Sequence, residues 1–247
     1  MTEKTKGIAI FNEDGTIKDK KEFLKTVEEL YDSVSEEMNE TEENNEIYDS
    51  YFSLIADPEA AIDVESTLET FDFTERTIYI TDEIKPALAN SIFEIIRFWN
   101  KVDNEDEIPI EERSPINIYI NTPGGDIDAV FSIISSIKAS KTPVHTITIG
   151  TGYSGGFFIG ICGHKRFGLA HTSYLFHEGA AMDGGDAHKF LQRMEFYKLQ
   201  LARLKQITLD NTHITNDEYE AHRKDDWFMD PHDAIKYGVI DEIIETL

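Results

Sequence analysis

From Thr77 to the C-terminus, apolar residues recur first at every second position and then at helical spacing, and the switch repeats several times. Thr77-Ile-Tyr-Ile-Thr81 alternates β-branched and aromatic residues and reads as a strand. A helical pattern over about 84–102 follows, with Leu88, Ile92, Phe93, Ile95, Ile96 and Trp99 on or near one face. An acidic loop over 103–114, broken by Pro109, leads to a strand at 116–120 (INIYI). Next come a helix over 126–139, with Ile127, Val130, Phe131, Ile134 and Ile137 inward, and a strand at 144–149 (VHTITI). A further helix starts at about Ser154, and two short strands near 166–169 and 173–177 precede a long amphipathic helix at about 186–209. Short helices near 216–223 and 230–237, the last stopped by Gly238, complete the pattern. Strands separated by helices pair in parallel through right-handed crossovers, so the expected fold class is α/β.

The first part of the chain differs. Phe23, Val27, Leu30, Tyr31, Val34 and Met38 fall on one face of a helix over roughly 19–39, and Glu36 to Glu46 reads as a solvated acidic connector. Residues 1–75 hold 22 Asp and Glu against 6 Lys, and from Thr26 through Glu75 there is no Lys or Arg at all. That composition shift marks a boundary near 72, between an acidic, partly helical N-terminal extension (1–72) and a main domain (73–247). With 48 acidic and 23 basic residues in 247, the net charge of −25 repels phosphates, so neither nucleic acid nor an anionic lipid surface is an expected partner. No apolar run reaches the ~18 residues of a membrane-spanning helix, and the N-terminus has no secretory apolar stretch, so a cytoplasmic protein is expected. The single cysteine, Cys162, lies in the apolar run FFIGIC and reads as a reduced core thiol.

Candidate chemistry concentrates in two glycine turns, each after a strand and before a helix. In Gly150-Thr-Gly-Tyr-Ser154-Gly-Gly, the turn lifts Ser154 clear of the sheet, and the helix start behind it offers free amides to a developing oxyanion. The alternative use of these glycines is a tight turn with close helix packing. Asn121-Thr-Pro-Gly124-Gly125-Asp126 is the second turn, and neighbouring parallel strands bring both to the same edge. A phosphate cradle is disfavoured because neither Gly-rich phosphate motif is present. A serine nucleophile needs a base and an orienting group. Among eight histidines, His177 stands out because it ends the apolar run Tyr174-Leu-Phe176. No histidine pair has zinc-protease spacing and a lone cysteine removes thiolate zinc sites, so no catalytic metal is expected, nor any cofactor.

The stretches INIYINTPGGDIDA, GTGYSGGFF, YLFHEGA and RKDDWFMDPHDAIKYGVIDEI, in that order over about 75–244, closely resemble the Clp protease proteolytic subunit, the ClpP serine peptidase family. The resemblance implies a ClpP/crotonase-like spiral of ββα units in which the helix at 186–209 is the handle. It implies Ser154 as nucleophile, His177 as base and Asp226 as orienting carboxylate, with Asp225 as fallback. Gly125 and Gly155 match the oxyanion-hole amides, and Gly124, Asp126 and Ile127 line the peptide cleft. The implied activity is serine endopeptidase cleavage of unfolded proteins or peptides inside a chamber of stacked homo-oligomeric rings, fed by a AAA+ unfoldase. The sequence departs from the family pattern in its long N-terminal region, a longer loop at 103–115, Gly155-Gly156 after the serine, and His-Glu-Gly in place of the commoner His-Gln-Pro. Such departures suit a divergent branch, including a viral capsid-maturation peptidase.

Three other readings stay open. Gly152-x-Ser154-x-Gly156 fits the nucleophile elbow of an α/β-hydrolase esterase, with His232 as base and an acid such as Asp210. A serine–lysine peptidase would use Lys138, Lys141 or Lys165. A ring-building homologue without activity would serve as scaffold or regulatory subunit.

Overall fold

Alternation along one strand sets the middle of the sheet. In β3 (Ile116–Thr122), Ile116, Ile118 and Ile120 are fully buried while Asn117 and Tyr119 are half-buried, as a period of two requires. The structure is a computed structural model that describes residues 71–72 (backbone), 76–179 and 186–245. The expected helix over 19–39 and the connector over 36–46 lie outside the described residues. Residues 66–247 group as one compact unit.

β1 (Phe71–Asp72) pairs antiparallel with β2 (Thr77–Ile80), and β2 pairs in parallel with β3. Between them runs α1 (Pro86–Glu105), which starts at a proline in the first helical turn, where a missing N–H costs nothing. β3 pairs in parallel with β4 (Val144–Tyr153) through α2 (Ile127–Ala139), whose N-cap Asp126 accepts from Ala129 N at 2.8 Å. β4 then serves two partners. Its first half pairs in parallel with β5 (Lys165–Leu169), and its last residues, Thr151 to Tyr153, pair in parallel with β6 (Ser173–Phe176). α3 (Gly155–Gly160) follows β4 directly. After β6 come α4 (Ala187–Asn211) and α5 (Asn216–His222), the latter closed by a Thr215–Glu218 capping box. β7 (Trp227–Met229) pairs antiparallel with β6; α6 (Pro231–Lys236) follows, and β8 (Glu242–Ile244) pairs in parallel with β5. The expected α/β class is what the fold shows.

The core lies between this sheet and α1, α2 and α3. Ile92, Ile95 and Ile96 of α1 and Ile133 and Ile137 of α2 are buried, as are Phe157 and Phe158 of α3. Phe176 joins the α3 phenylalanines to Tyr219 and Trp227 by edge contacts of 5.1 to 6.1 Å. Cys162 is buried, and burial pushes its thiol up to about 11, consistent with an inert core position. Among the described residues, no helix is long and apolar enough to cross a membrane.

The sequence pattern and the structure differ in five places. Phe93 is 45% exposed rather than inward. α1 continues through Asp103, which is completely buried: Arg76 reaches its Oδ1 at 2.7 Å and Thr142 Oγ1 donates to Oδ2 at 2.5 Å. An acid with two such partners belongs inside, although its composition marks a loop. β4 runs four residues past 149, because Thr151 to Tyr153 acquire β6 as a partner. β7 and β8 have three residues each, too few for a period to register. Finally, α4 is a largely exposed helix, with Leu191 (60%), Phe196 (51%) and Leu199 (58%) in solvent.

Candidate active site

Where β3 and β4 pass each other, the register shifts between Ile120 and Thr122, and Asn121 fills the gap. Its Oδ1 accepts from Thr151 N at 3.0 Å and from Thr151 Oγ1 at 3.2 Å. Thr122 pins the next step, its hydroxyl donating to Asp82 O at 2.5 Å and accepting from Gly124 N at 3.1 Å. The strand ends therefore reach the site at fixed heights. Ser154 follows at the end of β4 with φ 52° and ψ −114°, a left-handed conformation that costs a serine on the order of 1–3 kcal/mol. Pairing holds it there: Ser154 N donates to Leu175 O at 2.9 Å, and its carbonyl accepts from Phe158 N at 3.3 Å.

Register decides which histidine joins it. Tyr153 is the partner of Leu175, so Ser154 lies beside the end of β6, from which His177 emerges. On the other side of β6, Phe176 is the partner of Trp227, so the residue after one faces the residue before the other. The result is His177 Nδ1 at 3.3 Å from Asp226 Oδ1, leaving the Nε2 edge for another partner. His177 is 29% exposed and Asp226 62%. Ser154 and His177 line one cleft of about 480 Å³, and among the described residues no hydrogen bond joins them.

Gly125, Asp126, Ile127 and Gly155 line the same cleft. Ile84 is bridged to Gly125: Ile84 N donates to Gly124 O and Asp126 N donates to Ile84 O, each at 2.9 Å. This pair of bonds leaves out the Gly125 amide. A Cβ on Gly125 would meet Ile84 O at 2.2 Å, and one on Gly124, where φ is +105°, would meet Ser154 Cβ at 2.7 Å. The bare backbone of the second turn thus packs directly on the serine corner. A Cβ on Gly155 would lie 3.5 Å from Gly125 N and 2.6 Å from Val130 Cγ2, so the two glycines crowd one spot. Two first-turn or turn amides at one spot can receive a single oxyanion.

The residues of the other readings lie elsewhere. His232 is exposed on α6, its amide donating to Asp230, and Asp210 accepts from Gln206 within α4. Lys138 donates to Asn211 at 2.6 Å, and Lys141 and Lys165 are exposed. None of these lines the cleft with Ser154. Sequence reasoning passed over Glu178, Tyr197 and Leu204, which do. The only sequence signal for Glu178 was the unusual His-Glu-Gly string.

A serine on a strained strand-to-helix corner, an imidazole 3.3 Å from a carboxylate and two glycine turns at one cleft are the kinds of group from which acyl-transfer hydrolases on α/β folds build their centres. The family model for Clp protease matches residues 62–247. The chain is 31% identical to the ATP-dependent Clp protease proteolytic subunit of Lactococcus lactis subsp. cremoris, the match covering 76% of this chain and 90% of that one. Identity to the protein of the same name from Streptococcus mutans is also 31%, over 70% of this chain and 86% of that one. For proteolytic subunit 2 of Prochlorococcus marinus the values are 29%, 69% and 81%. This chain belongs to the Clp protease family.

Proposed function

We propose that this chain is a serine endopeptidase that cleaves unfolded proteins or peptides through an acyl-enzyme. The observation that carries the reading is that adjacent strand ends bring Ser154 and His177 to one cleft, with Asp226 3.3 Å from the imidazole Nδ1. His177 Nε2 takes the proton of Ser154 Oγ as the oxygen attacks the scissile carbonyl. Asp226 holds Nδ1 protonated, and the Gly125 and Gly155 amides bind the oxyanion. His177 then returns the proton to the leaving amine, and water releases the acyl group by the same steps. The peptide lies as an added strand along Gly124 to Ile127.

The relatives named above are proteolytic subunits of ATP-dependent proteases, which supports a homo-oligomeric chamber of stacked rings served by a separate AAA+ unfoldase. The exposed Leu191, Phe196 and Leu199 of α4 offer a surface for such stacking. The exposure of Asp226, 62% in solvent and so weakly held on His177, favours a second reading, a ring-forming subunit without activity. Fluorophosphonate labelling followed by mass mapping separates the two. The peptidase reading expects modification of Ser154 alone and loss of about 10⁴-fold or more in turnover in Ser154→Ala with assembly intact. Equal peptide turnover by Ser154→Ala and wild type discards the mechanism.

A further inference from the structure

The segment carrying the imidazole is tied at three successive positions to a single stretch of chain, 223–227. Phe176 is the ladder partner of Trp227, His177 Nδ1 faces Asp226 Oδ1 at 3.3 Å, and Glu178 Oε2 accepts from Arg223 Nη1 at 3.0 Å. The first tie is backbone and the last is a charged clamp. Glu178 is only 14% exposed, and its second oxygen, Oε1, accepts the hydroxyl of fully buried Tyr219 at 3.0 Å. Arg223 is steadied in turn by Glu220 at 2.8 Å, and Glu220 by Lys205 of α4 at 2.6 Å.

The middle tie cannot hold itself. A contact at 3.3 Å with one partner 62% exposed is open to competing water and contributes little to its own geometry. The β6–β7 ladder ends at Phe176, so backbone bonds do not reach the His177 side chain. Glu178, by contrast, is expensive to move, because a largely buried carboxylate taken from its partners would be left unpaired. Burial, together with the Glu178 charge, pushes the Tyr219 hydroxyl well above its ordinary value, so it stays a donor. Gly179 follows at φ +82°, a conformation closed to proline, so a His-Gln-Pro sequence could not adopt this backbone at position 179.

We propose that Glu178 is a positioning residue: by gripping Arg223 and Tyr219 it keeps the His177 imidazole in register with Asp226 beside Ser154. The proposal rests on the reading of His177 as the base. Its alternative is a staple that merely fastens α5 to the sheet.

The experiment uses the full chain in its native assembly, with turnover of a fluorogenic peptide, the rate of fluorophosphonate labelling and the thermal midpoint measured side by side. Four proteins are compared with wild type: Glu178→Ala, Glu178→Gln, Arg223→Ala and the Glu178→Ala/Arg223→Ala double variant. Glu178→Ala is expected to lose about tenfold to hundredfold in kcat and in labelling rate, with KM little changed, as for a reacting group displaced by a fraction of an ångström to an ångström. Glu178→Gln, which keeps one acceptor oxygen for Tyr219 or Arg223 but not both, recovers part of the loss, and the double variant is no worse than either single one. Unchanged kcat in folded Glu178→Ala overturns the proposal. So does a loss that follows the thermal midpoint while each folded molecule labels at the wild-type rate, or strict additivity of the two single variants. A wild type that neither labels nor cleaves overturns the peptidase reading and the proposal with it, whereas an active wild type with an indifferent Glu178→Ala overturns the proposal alone.

Discussion

Gly125→Ala tests the second turn where the packing is tightest. The added Cβ would sit 2.2 Å from Ile84 O, 2.6 Å from Ile84 N and 2.9 Å from Ile84 C, all backbone atoms that no rotamer change can clear. Restoring an ordinary carbon–oxygen separation of about 3.3 Å means moving Ile84 and the turn apart by roughly 1 Å. Both bonds of the Ile84–Gly125 bridge, each 2.9 Å long, would be lost or badly stretched. Each is worth about 1 kcal/mol and the overpacking about 1–3 kcal/mol, so the variant should lose on the order of 3–5 kcal/mol of stability. The same movement withdraws the Gly125 amide from the oxyanion, which lowers kcat by about 10²–10³ with a smaller change in KM. Urea unfolding and peptide turnover in one preparation read the two effects separately. Gly160→Ala is the comparison: its Cβ would meet only Ile120 Cδ1 at 3.8 Å, an ordinary contact. That variant should keep full turnover and equal or exceed wild type in stability. If Gly125→Ala stays within about threefold of wild-type kcat and loses less than about 0.5 kcal/mol, both the crowding and the oxyanion arguments fail.

Two further outcomes concern the scaffold. Asp103→Ala removes the acceptor for Arg76 and Thr142 from a fully buried site and should cost about 3–5 kcal/mol in urea unfolding; a loss under about 1 kcal/mol would mean that the pair is idle. At Asp241, burial alone would raise the carboxyl, but hydrogen bonds and charge from Arg166 outweigh it and hold the group below its ordinary value. A folded value below the unfolded one means stability that is present above about pH 4 and is lost as the pH falls through the folded value. Asp241→Asn should therefore flatten the acid limb of a stability–pH curve while lowering stability at pH 7; an acid limb as steep as that of wild type would refute the assignment.

Much of the frame was legible from local pattern. Alternation in INIYI and VHTITI, helical spacing over 126–139 and the two glycine turns are read within single segments, where neighbouring residues alone set the signal. The same holds for Ser154, whose place after a strand and before a helix follows from its immediate neighbours. His177 was marked locally by ending the apolar run Tyr174-Leu-Phe176, whereas Asp226 was legible only through the family resemblance, because nothing local selects it over Asp225.

Three-dimensional pairing made those selections. Tyr153 opposite Leu175 and Phe176 opposite Trp227 bring residues 154, 177 and 226 to one edge, and such a register belongs to pairs of distant segments rather than to any one of them. Asp103 became a core residue for the same reason: its partners, Arg76 and Thr142, lie 27 and 39 positions away. Glu178 likewise owes its burial to Arg223, 45 positions on. Local sequence determined where strands, turns and helices begin, since backbone preference and hydrophobic period act over a few residues. Only the folded sheet decided which charges meet, since the energy of burying a carboxylate depends on a partner that arrives from elsewhere in the chain.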